Sequence, residues 1–363
     1  MPEDMGRAAE FRALCDCLSG IGRGREPRKI VLESLSWAAF IALAKEYRVS
    51  ATVACAMEVA PPNSLPKAVM PYFRGLAAHY RRRNEAILDE AAEVAAILNK
   101  VDVIPILLKG GAHLVSGLYP DIAMREMSDL DILVPEARIK DCLTALAEHG
   151  ICDLGTYSHL RSHHCPAVGR SNLPLSIEIH HQVLAHPHGM FLPPAEMITS
   201  ALELTINNEA RLAVPSPTYA IIHNIAHSQF NDHDYIYGVA NLKSFIDFSL
   251  LAQAHYNEID WDKISNRFIA SGWRYAWEYH IRWARRLGAP VPSLRASGLV
   301  SQLLYQRALF HAKAPRSLSL NIRLLRPWLL LRRELSDSGL RRQLVPKLTQ
   351  VAWWKRHLGM LFR

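Results

Sequence analysis

The chain reads Ser128-Asp129-Leu130-Asp131-Ile132-Leu133-Val134 near its middle. The apolar, partly β-branched second half of this segment is typical of a buried strand. Successive side chains of a strand point to opposite faces, so Asp129 and Asp131 are expected on one face and Leu130 and Ile132 on the other. The segment therefore predicts a strand that presents two carboxylates together.

Two further segments predict neighbouring strands. Residues 103–108 form a short apolar run that ends at Lys109-Gly110-Gly111, which indicates a strand followed by a glycine turn. Residues 175–180 alternate between apolar and polar side chains, as in a half-buried strand. A helix is expected at 135–149, between the strand that contains Asp129 and Asp131 and the strand at 175–180. The order predicts a small mixed sheet with helices on one side.

The chain on either side of these strands has the apolar spacing of helices. This pattern predicts an N-terminal helical region at 1–100 with a break at 61–64, and helices again from about 193 onward. The candidate helices in that second region are 218–230, 240–255, 261–271 and 273–287. The expected division is a helical region (1–100), a sheet-containing core (101–192), a helical domain (193–315) and a basic helical tail (316–363). The predicted fold class is α+β, with a small mixed β-sheet flanked by helical regions on both sides.

The positive charge of the chain is concentrated in the tail. The formal net charge is +8, while residues 316–363 alone carry eleven Lys and Arg against two acids. Such a segment is compatible with contact to an anionic membrane surface or to nucleic acid. The simplest interpretation is a capping helical region whose arginines face solvent.

The expected location is the cytoplasm. The six cysteines form no CxxC pair, and the first residues lack the apolar core of a signal peptide. No apolar run reaches the ~18 residues that a spanning helix requires.

The paired aspartates carry the functional signal. Two unpaired carboxylates a few ångströms apart repel each other, and a divalent cation removes that cost. Mg²⁺ prefers oxygen ligands and is usually held by one or two carboxylates together with substrate phosphates. The alternative is structural, with both aspartates solvated or capping a turn.

The wider pattern resembles a known family. The segments 107–112, 118–120 and 125–134 supply a KG turn, a YP step and R-x-M-S-D-L-D-I-L-V, which closely resemble the uncharacterised or putative nucleotidyltransferases of the polymerase-β-like superfamily. Looser similarity extends to Glu178 with His180, to His223 with His227, and to the helical segment 241–247 that includes Asp247. The resemblance covers roughly residues 30–290 and implies that 101–192 is a nucleotidyltransferase core.

The resemblance implies a role for three carboxylates. Asp129 and Asp131 would ligate Mg²⁺ shared with the β- and γ-phosphates of a nucleoside triphosphate. Glu178 would complete a second site and help to activate the acceptor, so that two ions are expected.

The resemblance also implies a nucleotide-binding set. Gly110 and Gly111 would form the glycine turn beside the triphosphate, and three side chains are plausible phosphate contacts: Lys109, Arg125 and Ser128. The broader superfamily places a Gly-Ser closer to its acidic pair. Here Gly111 replaces the serine, and seventeen residues separate it from Asp129.

The histidines allow more than one interpretation. Several lie between 159 and 188 beside two cysteines, but their spacing matches no zinc finger or ribbon. His180 shares a predicted strand face with Glu178 and could orient a carboxylate or touch substrate. His223 and His227 lie four residues apart on one helix face. They are expected as interface histidines, with contact to nucleotide or acceptor as the alternative.

The main functional hypothesis is a Mg²⁺-dependent enzyme that binds ATP or another nucleoside triphosphate. It would transfer the nucleoside monophosphate to an unidentified small molecule, peptide, protein or RNA and release pyrophosphate. One alternative is a non-catalytic nucleotide-binding protein, or one that docks on RNA or membrane through 316–363. Another is a relative that transfers a different group, such as a sugar.

Overall fold

The computed structural model describes residues 2–21, 35–58, 66–153, 163–170, 175–206, 209–293 and 298–336. The predicted break at 61–64, His159 and residues 337–363 of the tail lie outside these ranges. The N-terminal flank consists of α1 (Pro2–Ile21), α2 (Trp37–Glu46), α3 (Ser50–Glu58) and α4 (Met70–Asn99).

The N-terminal helices end where their sequence signals indicate. The Ser36 hydroxyl accepts a hydrogen bond from the Ala39 amide and caps α2. Arg48 adopts a left-handed φ of 55°, and the chain turns there into α3. Pro71 occupies the first turn of α4, where its missing N–H costs no hydrogen bond.

A mixed sheet forms the centre of the protein. In the described residues its strands are β1 (Ile106–Leu107), β2 (Asp129–Leu133), β3 (Cys152–Asp153), β4 (Val168–Gly169), β5 (Ser176–His180), β6 (Leu202–Ile206) and β7 (Ala210–Val214). They lie in the order β3-β4-β5-β2-β1-β7-β6. The strands β2 and β5 are parallel, and their register places Asp131 opposite Glu178. The predicted α+β class with helical flanks is confirmed.

Helices pack against both faces of the sheet. Leu130 and Ile132 of β2 point into a core with α4 and with α6 (Ile139–Glu148). Leu133 points the other way, into a second core formed largely by C-terminal helices. The expectation of helices on one side was wrong, because the C-terminal helical region covers part of the opposite face.

The sheet continues past residue 192. The pattern from 193 onward was interpreted as helical, but β6 and β7 form an antiparallel hairpin at 202–214. The strand β7 also pairs with β1 in parallel, with Ile106 opposite Ala213. The Asn99 side chain at the end of α4 fixes this edge, since it accepts from the Arg211 amide at 2.7 Å and donates to the Arg211 carbonyl at 2.8 Å. The helical interpretation was wrong for these residues, because Leu202–Ile206 alternates in the manner of a strand.

The remaining helices follow the predicted pattern closely. Helices expected at 240–255, 261–271 and 273–287 are confirmed within two residues at each end. The set comprises α5 (Lys109–Val115), α7 (Pro194–Ser200), α8 (Pro217–Ala226), α9 (Asp234–Tyr237), α10 (Leu242–His255), α11 (Trp261–Ala270), α12 (Arg274–Arg286), α13 (Leu299–Lys313) and α14 (Pro315–Ser336). A π-helical turn, His227–Asn231, continues α8. The tail is thus helical as far as Ser336.

Gly111 has a packing role in this arrangement. It lies in the first turn of α5, and a Cβ at this position would come within 2.8 Å of Leu130 Cδ1. Leu130 is fully buried, so its side chain has little room to move away. The absence of a side chain at Gly111 therefore lets α5 approach β2 closely.

We expect Gly111→Ala to destabilise the protein by roughly 1–3 kcal/mol, the usual cost of overpacking a core. Gly75→Ala is the matched control, because Gly75 lies on the exposed side of α4 with nothing within 4 Å of the added Cβ. That change should be neutral or stabilising by up to about 1 kcal/mol. Urea unfolding of both variants checks this, and equal effects would contradict the packing role.

Candidate active site

Asp131, Glu178 and His180 meet at the edge shared by β2 and β5. Each offers one ligand atom, and these three atoms lie within 4.8 Å of one another. His180 Nε2 is 2.8 Å from Asp131 Oδ1 and 3.6 Å from Glu178 Oε2. Asp131 and His180 are buried, while about a quarter of the Glu178 side chain is exposed. Two carboxylates and an imidazole could together hold a cation.

Lys109 already supplies positive charge to this group. Its ammonium lies 2.7 Å from Asp131 Oδ1. Lys109 is the first residue of α5 and has a left-handed φ of 49°, which is uncommon for a residue with a side chain. This strained residue lies where the chain leaves β1, and its conformation directs the Lys109 side chain toward β2.

The contacts keep Asp131 ionised. Burial alone would raise the pKa of the Asp131 carboxyl, but the Lys109 ammonium and the hydrogen bond from His180 hold it well below its usual range. Burial likewise lowers the pKa of His180, and its hydrogen bond to Asp131 together with the nearby Glu178 carboxylate more than compensates, so the net shift is upward. The proximity of His180 is the main reason that the pKa of Glu178 is lowered. The group is therefore a mutually stabilised set of opposite charges.

Asp129 lies two residues before Asp131 on β2, so both side chains project from the same face of the sheet. It is half-buried, and its Oδ1 accepts a hydrogen bond of 3.2 Å from the hydroxyl of the exposed Ser128. Asp129 is also close enough to Lys109 and Arg125 to act on their charges. Asp129 is not part of the three-residue group around His180, but it borders the same cavity.

A cavity of about 490 Å³ opens beside these carboxylates. Its walls come from three helices, each of which contributes a stripe at helical spacing. These stripes include Lys109, Ala112 and Val115 of α5, Pro217, Ala220 and Asn224 of α8, and Ser244, Asp247 and Leu251 of α10. The charged end lies at the sheet edge. The lining also includes three apolar residues of the β6–β7 hairpin, Leu202, Leu204 and Val214.

Arg125 ties the core to α10. Its Nη2 lies 2.8 Å from Asp247 Oδ2, both side chains are buried, and the Tyr119 hydroxyl donates to the other oxygen of Asp247. Burial would raise the pKa of Asp247, but Arg125 outweighs it and lowers the pKa. Arg125 Nε faces this region without a hydrogen-bond partner among the described residues. Arg125 was expected to contact phosphate, whereas in the structure its guanidinium pairs with Asp247.

Six of the eight residues that the sequence analysis named border the cavity: Lys109, Gly110, Arg125, Ser128, Asp129 and Asp131. Gly111 packs against Leu130 and does not line the cavity. Glu178 is not a lining residue either, but it lies beside Asp131 through their shared register and through His180. The glycine turn is the first turn of α5 rather than an open loop.

Two more histidines pack behind the carboxylates. The rings of His163 and His164 lie 5.1 and 5.2 Å from that of His180, and His164 Nε2 is 3.7 Å from Glu178 Oε2. Burial and the neighbouring imidazoles lower the pKa of His163 to about 3, so its ring is neutral. Within the described part of the chain, His180 belongs to the group of side chains that could hold a metal ion, whereas His163 and His164 do not.

Several cavity residues escaped the sequence analysis. Arg48 arrives from the bend between α2 and α3, Lys243 from α10, and Asp232 from the turn after α8. Burial, with Arg125 nearby, lowers the pKa of Lys243 to about 8. These residues lie far from the Asp129–Asp131 motif in the chain, and no local sequence pattern marks Arg48 or Asp232.

The chain belongs to a family of uncharacterised nucleotidyltransferases, whose model matches residues 33–289. The match spans the sheet, the carboxylates and the helices that enclose the cavity. The general activity class is therefore nucleotidyl transfer, and such enzymes generally use divalent metals. No curated protein matches the chain significantly. In the described ranges, every helix is too short or too polar to cross a membrane.

We expect Arg125→Met to destabilise the protein by about 3–5 kcal/mol, because it leaves the buried Asp247 carboxylate without its charged partner. Arg211→Met is the matched control, since Arg211 pairs with Glu203 with more than half of each side chain exposed. Loss of that surface pair should cost less than about 1 kcal/mol. Similar shifts in the urea midpoint of both variants would contradict the structural role of Arg125.

Proposed function

We propose that the protein is a Mg²⁺-dependent enzyme that transfers the nucleoside monophosphate of a nucleoside triphosphate to an acceptor and releases pyrophosphate. One observation carries the proposal. The Asp131 and Glu178 carboxylates converge on His180 at a sheet edge, next to a cavity of about 490 Å³ that Asp129 also borders. Family membership supports nucleotidyl transfer as the reaction class. The carboxylates beside the cavity support a metal-dependent form of that reaction.

The donor set fits a divalent cation. Asp131 and Glu178 provide carboxylate oxygens, which Mg²⁺ prefers, and Asp129 adds another at the cavity wall. Both strand carboxylates stay ionised, because neighbouring cations lower the pKa values of Asp131 and Glu178. We expect Asp129, Asp131 and Glu178 to hold two ions. When bound, Mg²⁺ would neutralise phosphate charge and stabilise the attacking and leaving oxygens.

The protein's own cations would bind the triphosphate. Lys109 reaches the carboxylate cluster from one side of the cavity, and Arg48 and Lys243 line another wall. Neither Arg48 nor Lys243 forms an ion pair with a carboxylate of the described residues. Lys243 is half-buried, and a cation at that depth without a counter-ion is costly, so an anionic ligand would stabilise it. Gly110 and Ser128 border the same end of the cavity and would lie beside the phosphates.

The acceptor would enter from the rest of the cavity. Its wall along α8, from Pro217 to His227, is about 15 Å long at the usual helical rise. That length leaves room beyond the triphosphate for a second group. Transfer of a sugar, or contact of 316–363 with RNA or membrane, stays a prediction from the sequence alone.

We expect Asp131→Asn and Glu178→Gln to reduce the rate of nucleotidyl transfer by at least about 100-fold, because each removes a charge that stabilises the transition state. The measurement supplies Mg²⁺, each of the four α-³²P-labelled triphosphates and a panel of small-molecule, peptide, protein and RNA acceptors, and it follows label transfer and pyrophosphate release. Asp141→Asn is the control, because Asp141 lies exposed on α6.

Two outcomes decide this proposal. Turnover by wild type that is lost in both site variants and retained in Asp141→Asn supports it. Triphosphate binding without turnover, or turnover that survives Asp131→Asn, contradicts it and favours a nucleotide-binding role.

A further inference from the structure

A second group of titratable side chains borders the same cavity, at the C-terminal end of α8. His223 lies in the last turn of α8, His227 starts the π-helical turn, and Asp232 follows that turn. His227 Nδ1 is 3.5 Å from Asp232 Oδ2. The rings of His223 and His227 are 6.0 Å apart and nearly perpendicular. The group is separate from the carboxylates at the sheet edge.

His227 has the surroundings of a proton acceptor. Its Nδ1 is turned to Asp232, and its other ring nitrogen, Nε2, has no hydrogen-bond partner among the described residues. Desolvation raises the pKa of Asp232, but contact with His227 and the nearby Lys109 outweigh it, so the carboxylate is ionised. A carboxylate on Nδ1 fixes the imidazole tautomer and stabilises the ring once Nε2 takes a proton.

His223 is a separate indication that this wall contacts a ligand. Its side chain is buried and borders the cavity, yet Nε2 has no hydrogen-bond partner in the part of the chain that the structure describes. Burial holds the pKa of His223 well below its usual value, so the ring is neutral. A buried polar atom without a partner is costly, and a substrate group in the cavity would satisfy it.

The sheet-edge carboxylates have other partners. Asp131 Oδ1 is shared by Lys109 and His180, and Glu178 lies beside His164 and His180. Oxygens engaged with cations are poorly placed to accept a further proton. Among the described residues, the titratable groups close to His227 include Asp232, His223 and, from the segment before β4, His163, while Lys109 lies near Asp232. Of these neighbours, Asp232 is the anion.

We propose that His227 is a catalytic base that accepts the proton of the acceptor's hydroxyl, and that Asp232 is its positioning residue. This inference rests on the proposed function. The hydroxyl proton passes to His227 Nε2 while the oxygen forms a bond to the α-phosphorus. The bond from the α-phosphorus to the bridging oxygen breaks, and pyrophosphate leaves with that electron pair.

The inference also assigns the acceptor class. An un-ionised hydroxyl, on a small molecule, a side chain, a ribose or water, needs a proton acceptor in the transition state. A phosphate or carboxylate acceptor is ionised already and needs none. The presence of a built histidine–carboxylate pair therefore indicates a hydroxyl acceptor.

Water serves as the test acceptor, because it requires no knowledge of the natural one. The full-length protein is incubated with Mg²⁺ and γ-³²P-labelled ATP under single-turnover conditions, and pyrophosphate release is followed. We expect His227→Gln to lower the rate by ~10²–10⁴-fold, the usual range for general-base catalysis, with ATP affinity unchanged. Asp232→Asn should lower the rate to a smaller extent, also without a change in the KM for ATP.

His149→Gln is the matched control, because it makes the same substitution on the exposed histidine that ends α6. Its rate should equal that of wild type, and all variants should share the unfolding midpoint of wild type. A His227→Gln variant that releases pyrophosphate at the wild-type rate overturns the base assignment and leaves the proposed function intact. If wild type releases no pyrophosphate either with water or with the acceptors of the transfer assay, the proposed function itself is contradicted and this inference falls with it.

Discussion

The buried negative charge of Asp131 is the constraint on which the site depends. An ionised carboxylate that is almost wholly removed from water requires opposite charge close by. Lys109 and His180 provide it at 2.7 and 2.8 Å. To do so, Lys109 adopts a left-handed backbone conformation at the start of α5, and β5 pairs with β2 in the register that brings His180 and Glu178 to the same edge. The local strain and the strand register thus both bring positive charge to Asp131.

The surrounding helices turn that edge into a cavity. Gly111 lets α5 approach β2, and the buried pair of Arg125 and Asp247 joins the sheet to α10. The helix α8 closes the third side and brings His227 toward the carboxylates. Each wall therefore carries charged or titratable groups. The helices α5 and α10 supply cations, and the end of α8 supplies a histidine–carboxylate pair.

Local patterns in the sequence sufficed for the strands that carry the acids. The alternation in 129–133 and 176–180 predicted both strands and the shared face of Asp129 and Asp131, and the helices α10, α11 and α12 were predicted within two residues. The hairpin at 202–214 was missed, because two short alternating runs between helices were interpreted as part of a helical region. Arg48 could not have been predicted, since its place in the cavity depends on how α2 and α3 pack on elements more than 60 residues away. The role of Gly111 likewise depends on its contact with Leu130 across two elements.

The central claim is that the carboxylates at the edge of β2 and β5 hold a divalent cation. Titration with Mn²⁺, followed by its electron paramagnetic resonance signal in the presence of a non-hydrolysable ATP analogue, tests that claim without requiring an acceptor. We expect wild-type protein to bind Mn²⁺ and Asp131→Asn to weaken the binding by at least about tenfold, since it removes a charged ligand. Equal Mn²⁺ binding by wild type and Asp131→Asn would contradict the claim.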